Sequence, residues 1–223
     1  RIFCTRWTGL YKDDAISSIE HRANLVLLLK YGMDFIKNYT MSGWVKMPNY
    51  RLNLPDYSDR AIFEGLVNHL IHRDYTVMGG EVHIDIYDDR VELVSPGAML
   101  DGTQIQDRDI YKVPSMRRNP VIADVFTQLD YMEKRGSGLR KMRELTEKLP
   151  NFLQGKEPQY QTEAASFFTT FYNLNWDDNG RIPVEDVAER VNGSDEKFGD
   201  SQKSSVKTFG DSQKSSVIHK VLR

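Results

Sequence analysis

Asp59-Arg60-Ala61-Ile62-Phe63-Glu64-Gly65-Leu66-Val67-Asn68-His69-Leu70-Ile71-His72-Arg73 is the stretch that decides how this chain reads. Ser58 before it is a good N-cap, and Asp74 followed by Gly79-Gly80 closes it, so a helix is predicted from about Asp59 to Arg73. Glu64, Asn68 and His72 recur at i, i+4 and i+8 and share one face. Ile62, Leu66 and Leu70 lie about 200° away at the helical turn of about 100° per residue. One face is therefore apolar and suited to pack on a sheet. The other carries a carboxylate, an amide and an imidazole in a row. Such a row can polarise a water and hold a cation. It can also be no more than a solvated polar face, which for one helix taken alone is the commoner outcome.

Outward from this helix, Trp44 to Leu54 reads as a hairpin turning at Pro48-Asn49, and Pro55-Asp56-Tyr57-Ser58 punctuates it. Farther upstream, Ser17 to Tyr39 is predicted helical from the spacing of Ile19, Ala23, Val26, Leu27, Tyr31 and Phe35. Arg1 to Trp7 is strand-like. Downstream, Val82, Ile84 and Ile86 alternate with polar residues, Asp88-Asp89 turns, and Val91 to Val94 follows until Ser95-Pro96-Gly97. Residues 98 to 118 lack periodicity and are expected to form a long loop, of the kind that is usually functional or mobile. Asn119-Pro120 opens a helix, another begins near Ser137 and ends before Pro150, and Phe167 to Tyr172 forms an aromatic strand. Pro183 to Val191 suits one short helix. Beyond it Phe198–Val206 recurs as Phe209–Val217, a Ser-, Gly- and Lys-rich repeat that reads as a linker.

With 30 basic and 32 acidic residues the formal charge is −2, which excludes a wholly basic nucleic-acid coat but not a local patch. The longest apolar run, Leu25 to Leu29, is far short of the roughly 20 residues that span a bilayer. The single cysteine, Cys4, fits a reducing, cytoplasmic setting. The start at Arg1 rather than Met leads to the expectation of a fragment.

Two further segments carry chemistry. Glu133-Lys134-Arg135-Gly136-Ser137-Gly138-Leu139 precedes an amphipathic helix, and bare glycine amides at a helix start, flanked by cations, suit a phosphate. Arg117-Arg118-Asn119-Pro120 at the end of the long loop suits either a phosphate clamp or a solvated turn. No Gly-x-x-x-x-Gly-Lys-Ser/Thr occurs, so a P-loop motor is absent from this sequence. His69 and His72 lack the His-Glu-x-x-His or Cys companions of a zinc site, and no Gly-x-Ser-x-Gly elbow supports covalent hydrolysis.

In order, the segments Glu64 to Tyr75, Asp89 to Gly97, Arg118-Asn119-Pro120 and Glu133 to Leu139 resemble one bacterial and archaeal family. It is the RecG-related family of transcriptional regulators and "ATP-dependent DNA helicase" homologues, whose members carry an ATP-binding domain of the gyrase, histidine kinase and MutL (GHKL) class. The likeness covers roughly residues 1 to 175. It implies an α+β fold, a two-layer sandwich with a mixed, mostly antiparallel sheet, helices on one face, and ATP held under a mobile lid.

Position by position, the resemblance implies that Glu64 is the general base and that Asn68 is the ligand of a nucleotide-bound Mg2+. Gly136 and Gly138, with Arg135, Ser137 and Leu139, match the second glycine box. His72, Ser95, Gly97 and Arg118 complete the expected nucleotide-binding set, and Ala98 to Lys134 matches the lid. The first glycine box of that class opens with an Asp that reads the adenine amino group; here Ser95-Pro96-Gly97 stands in its place.

The expected organisation is 1–16 as the end of a preceding domain or a linking strand, 17–176 as the ATP-binding domain, 177–214 as linker and 215–223 as the start of a winged helix. The expected function is an ATP-binding module of a DNA-binding regulator with weak ATP hydrolysis. DNA is then reached through flanking domains, with assembly into a homo-oligomer. The alternative is a degenerate, non-catalytic scaffold joining DNA-binding domains. A third reading has this domain touch nucleic acid itself through Arg73, Arg117, Arg118, Lys134, Arg135 and Arg140.

Overall fold

The computed structural model describes residues 1–132 and 137–191. The 198–217 repeat lies outside them. In chain order the elements are β1 (Ile2–Trp7), β2 (Ala15–His21), α1 (Leu25–Tyr39), the hairpin β3 (Ser42–Lys46) and β4 (Arg51–Pro55), and α2 (Asp59–His72). Then come β5 (Val82–Ile86), β6 (Arg90–Pro96), α3 (Pro120–Gln128), α4 (Gly138–Glu147), β7 (Gln159–Glu163), β8 (Ser166–Tyr172) and the small pair β9 (Trp176–Asp177) and β10 (Gly180–Arg181). Residues 184–191 are helical.

The fold is α+β. Its main sheet has the order β2-β1-β5-β6-β8-β7. Every neighbouring pair is antiparallel except β1 and β5. Alternation sends Ile84 and Ile86 of β5, and Val91, Leu93 and Ser95 of β6, to the covered face. There they meet Leu28 and Ile36 of α1 and Ile62, Leu66 and Leu70 of α2 in one core. Burying each such aliphatic side chain stabilises the fold by about 1.5–3 kcal/mol. Helix α2 starts where Ser58 accepts a bond from the Ala61 amide (3.3 Å), and it packs against α1, α4, β6 and β8. That central position fixes the direction in which Asn68 and His72 face.

A second, smaller core sits under the hairpin, where Leu54 meets Ile182, Val187, Ala188 and Val191. Asp56 ties it to the main body. Its buried carboxylate accepts from the Met41 amide (2.9 Å), Asn175 Nδ2 (2.9 Å) and Arg181 (2.8 Å).

The structure corrects the upstream reading. Residues 15–21 are not the first turns of a long helix but the edge strand β2, and the helix begins only after Asn24, whose side chain accepts from the Leu27 amide (3.0 Å). Strand β1 is an inner strand, with Ile2 and Cys4 fully buried. Strand β7 was not expected. The long segment after Gly97 is a loop broken by two short 3-10 turns, Ile105–Asp107 and Ile110–Lys112. No helix among the described residues is long and apolar enough to cross a membrane.

Candidate functional site

The C-terminal half of α2, the end of β6, the loop after it and the start of α4 enclose a cavity of ≈ 140 Å3. Seven of the residues singled out in the sequence line it: Asn68, His72, Ser95, Gly97, Arg118, Gly138 and Leu139. Met99, Leu100, Ile110, Val113 and Met116 from the loop, with Phe167 of β8, make the rest of its wall largely apolar. A few convergent polar groups set in an apolar surround are the usual makeup of a small-molecule site.

The contact between α2 and α4 is the tightest feature. A Cβ placed on Gly138 would lie 2.5 Å from Asn68 Nδ2, so any larger residue here would displace the end of the Asn68 side chain. Gly138 is the first residue of α4, and Ser137 before it makes no side-chain cap. The first-turn amides of α4 therefore open beside the Asn68 amide, with the partial positive charge of the helix behind them.

Gly97 ends β6 with φ +107°, in the left-handed region, and its amide donates to Ala165 O (2.7 Å). An added Cβ there would lie 3.1 Å from Arg118 Cζ. Arg118 is engaged with Asp74 (3.0 Å) and with the Ala98 carbonyl, and Asn119 Nδ2 donates to Ile71 O (2.7 Å) and Arg73 O (2.8 Å). Arg118 and Asn119 thus pin the far end of the long loop to the C-terminus of α2. The Arg118 guanidinium also helps hold the His72 imidazole below its ordinary pKa, after the larger effect of burial.

His69, which the sequence reading set aside, forms the deep wall. Its Nδ1 lies 2.9 Å from Ser95 Oγ and its Nε2 3.0 Å from Thr169 Oγ1, and Phe167 meets its ring edge-on at 5.7 Å. All three polar residues are buried. Burial pushes the imidazole pKa down to about 3, so the ring is neutral near pH 7.

Glu64 stands one turn before Asn68 but is buried and is not part of the cavity lining. Ser137 does not line it either, and Arg135, Gly136 and Lys134 lie outside the described residues. Among the described residues, the arginines expected to form a basic patch are engaged within the chain: Arg73 with the Gly80 carbonyl, Arg117 with Asp124 (2.7 Å), Arg118 with Asp74 and Arg140 with Glu144 (3.2 Å). Three of these four, Arg117, Arg118 and Arg140, are paired with a carboxylate.

No curated protein matches this chain. Among solved structures, the chain is similar to the DIP2311 protein from Corynebacterium diphtheriae, with 19% sequence identity and a TM-score of 0.66 over 84% of this chain and 36% of that one. The chain thus spans about a third of the length of that structure, and likeness at this identity concerns the fold alone. Residues 79–171 match the family described as "Putative ATP-dependent DNA helicase recG C-terminal", an ATPase-like domain. The match runs from just before β5 almost to the end of β8 and takes in Ser95, Gly97, Arg118 and Gly138.

Proposed function

We propose that this chain is a nucleotide-binding module of the gyrase, histidine kinase and MutL class, taking ATP together with Mg2+ in the cavity between α2, β6 and α4. The observation that carries this reading is the seating of Gly138 on Asn68, where any Cβ would fall 2.5 Å from the amide nitrogen. That contact brings a side-chain amide and the first turn of a ten-residue helix to the wall of a largely apolar cavity. A phosphate chain at the helix start and a flat ring in the apolar part satisfy both ends. The RecG-related family match over residues 79–171 supports the same assignment.

Among the described residues no group of three or more His, Cys, Asp or Glu could hold a metal ion. An ion here would arrive with the phosphates, and the Asn68 amide oxygen is the hard oxygen ligand that Mg2+ prefers. Bound in that way, Mg2+ would neutralise phosphate charge. In the same reading Glu64 is the base that takes a proton from the attacking water during slow hydrolysis, a role worth about 10²–10⁴ in rate. DNA contact would belong to flanking domains of a bacterial, cytoplasmic regulator that assembles as a homo-oligomer.

A second reading, a scaffold that joins DNA-binding domains without turnover, is favoured by one observation: Glu64 is buried outside the cavity lining. Calorimetric titration with ATP and Mg2+ tests the first reading. Heat of binding at millimolar nucleotide is expected, and its absence in a folded sample rejects it. Phosphate release separates the two. A rate no higher than that of Glu64→Gln leaves the scaffold.

A further inference from the structure

We propose that the outward face of the β3–β4 hairpin binds single-stranded nucleic acid, stacking a base on Trp44 and Arg51 and holding phosphates with Lys46 and Arg51. None of these residues lines the cavity, so the contact stands or falls independently of the nucleotide reading. It is also separate from any DNA contact made by flanking domains.

The register sorts the hairpin into two faces. Gly43 pairs with Leu54 and Val45 with Leu52, while Trp44 pairs with Asn53 and Lys46 with Arg51. Leu54 is buried in the smaller core, Val45 and Leu52 pack against that core, and an added Cβ on Gly43 would lie 3.1 Å from Val184. The inward face is therefore occupied by the chain itself. On the outward face Ser42, Trp44, Lys46, Arg51 and Asn53 are all exposed. Tyr50, beside Arg51 at the turn, is exposed as well.

Two properties of that face point to its occupant. The first is charge. Residues 41–54 contain Lys46 and Arg51 and no Asp or Glu. Among the described residues neither cation has a carboxylate partner, unlike Arg90, Arg108, Arg117 or Arg118. Two unopposed cations lie opposite each other across the hairpin, which suits a run of phosphates. The second is flatness. The Arg51 guanidinium lies over the Trp44 ring, 4.5 Å from its centroid, and its Nε donates to Asn53 Oδ1 (3.0 Å), which fixes its plane. The indole is still 50% exposed. A flat ring and a flat, delocalised cation in one stack accept a base on their open side. Bases inside a duplex are already stacked on each other, so a single strand is the form that offers one. Rings and phosphates are common to DNA and RNA, and the face takes both. A lipid surface would require an apolar tip to insert, whereas this hairpin turns at Pro48-Asn49 with the polar Asn49 exposed.

The test titrates the full 223-residue chain into fluorescein-labelled dT and rU oligonucleotides of about 15 residues and follows anisotropy over a salt series. Saturable binding to both is expected. Its log K should fall by about 1.4 per decade of salt, about 0.7 for each of two neutralised phosphates. Trp44→Ala should weaken binding at least about fivefold and leave the salt slope unchanged, because it removes stacking and no charge. Lys46→Ala should bring the slope down to about 0.7. No binding to either oligonucleotide at low salt overturns the inference and leaves the nucleotide reading untouched. Binding that neither variant alters overturns it too, since the strand then lies elsewhere on the chain. A dT·dA duplex bound as tightly as dT, or a preference beyond about tenfold for either sugar, refutes a contact made through rings and phosphates of a single strand. Uptake by phosphatidylserine vesicles without binding of either oligonucleotide assigns the face to a membrane and overturns the inference. Should Trp44→Ala fail to fold, Lys46→Ala decides alone, and an unchanged salt slope overturns the proposal.

Discussion

Acidification from pH 7.5 to 5.0 should cost this fold about 2 kcal/mol through His69 alone. The imidazole is held at a pKa of about 3 by burial, whereas in the unfolded chain it titrates near 6.5. The folded pKa is depressed, so the unfolded state binds the proton first. The contribution is fully present above about pH 6.5 and is lost as pH falls toward 3. At pH 5.0 the unfolded group lies 1.5 units below its own pKa, and at about 1.4 kcal/mol per unit the loss is about 2 kcal/mol. The measurement is urea unfolding at the two pH values for the native chain and for His69→Gln, whose amide donates and accepts but does not titrate. His72, also held low by burial, contributes in the same direction but to both proteins and cancels in the difference. The native chain should lose about 2 kcal/mol more than the variant over this range. Equal losses would refute the neutral, two-hydroxyl environment assigned to His69.

Gly138→Ala should weaken ATP binding at least about tenfold while changing stability by less than about 1 kcal/mol, since the side chain that must move is the end of Asn68; calorimetry beside thermal melting checks both. Asn119→Ala removes two bonds to the last carbonyls of α2 and should cost about 1–3 kcal/mol, read by denaturant unfolding. Asp56→Ala strips the shared acceptor of the Met41 amide, Asn175 and Arg181 and should cost about 3 kcal/mol, with faster proteolysis at the hairpin and residues 182–191 as its local sign.

Local signals carried much of the fold. Ser58 before an amphipathic run marked α2, alternation marked β5, the run from Val91 to Val94 between two turn signals marked β6, and Pro at the first turn marked α3. Strand β2 escaped because an exposed edge strand has no buried face, so its apolar residues Ile16 and Ile19 show no period of two. It exists through pairing with β1, and no residue of β2 states that partner. At the site, the spacing of Asn68 and His72 and the glycine at 138 were legible as helix-face and helix-start patterns.

What the chain's order of residues determined by itself is therefore most of the helices and strands near the cavity and the types of group that line it. What only the tertiary structure decided is which of those groups share a space. His69, considered in the sequence only as half of a zinc pair, is buried and meets Ser95, 26 positions on, and Thr169, 100 positions on. Glu64, one turn from Asn68 on the same face, falls outside the cavity because the elements that line it meet α2 only along its C-terminal half. Periodicity names the face of a helix; only the neighbours pressed against it determine what that face looks into.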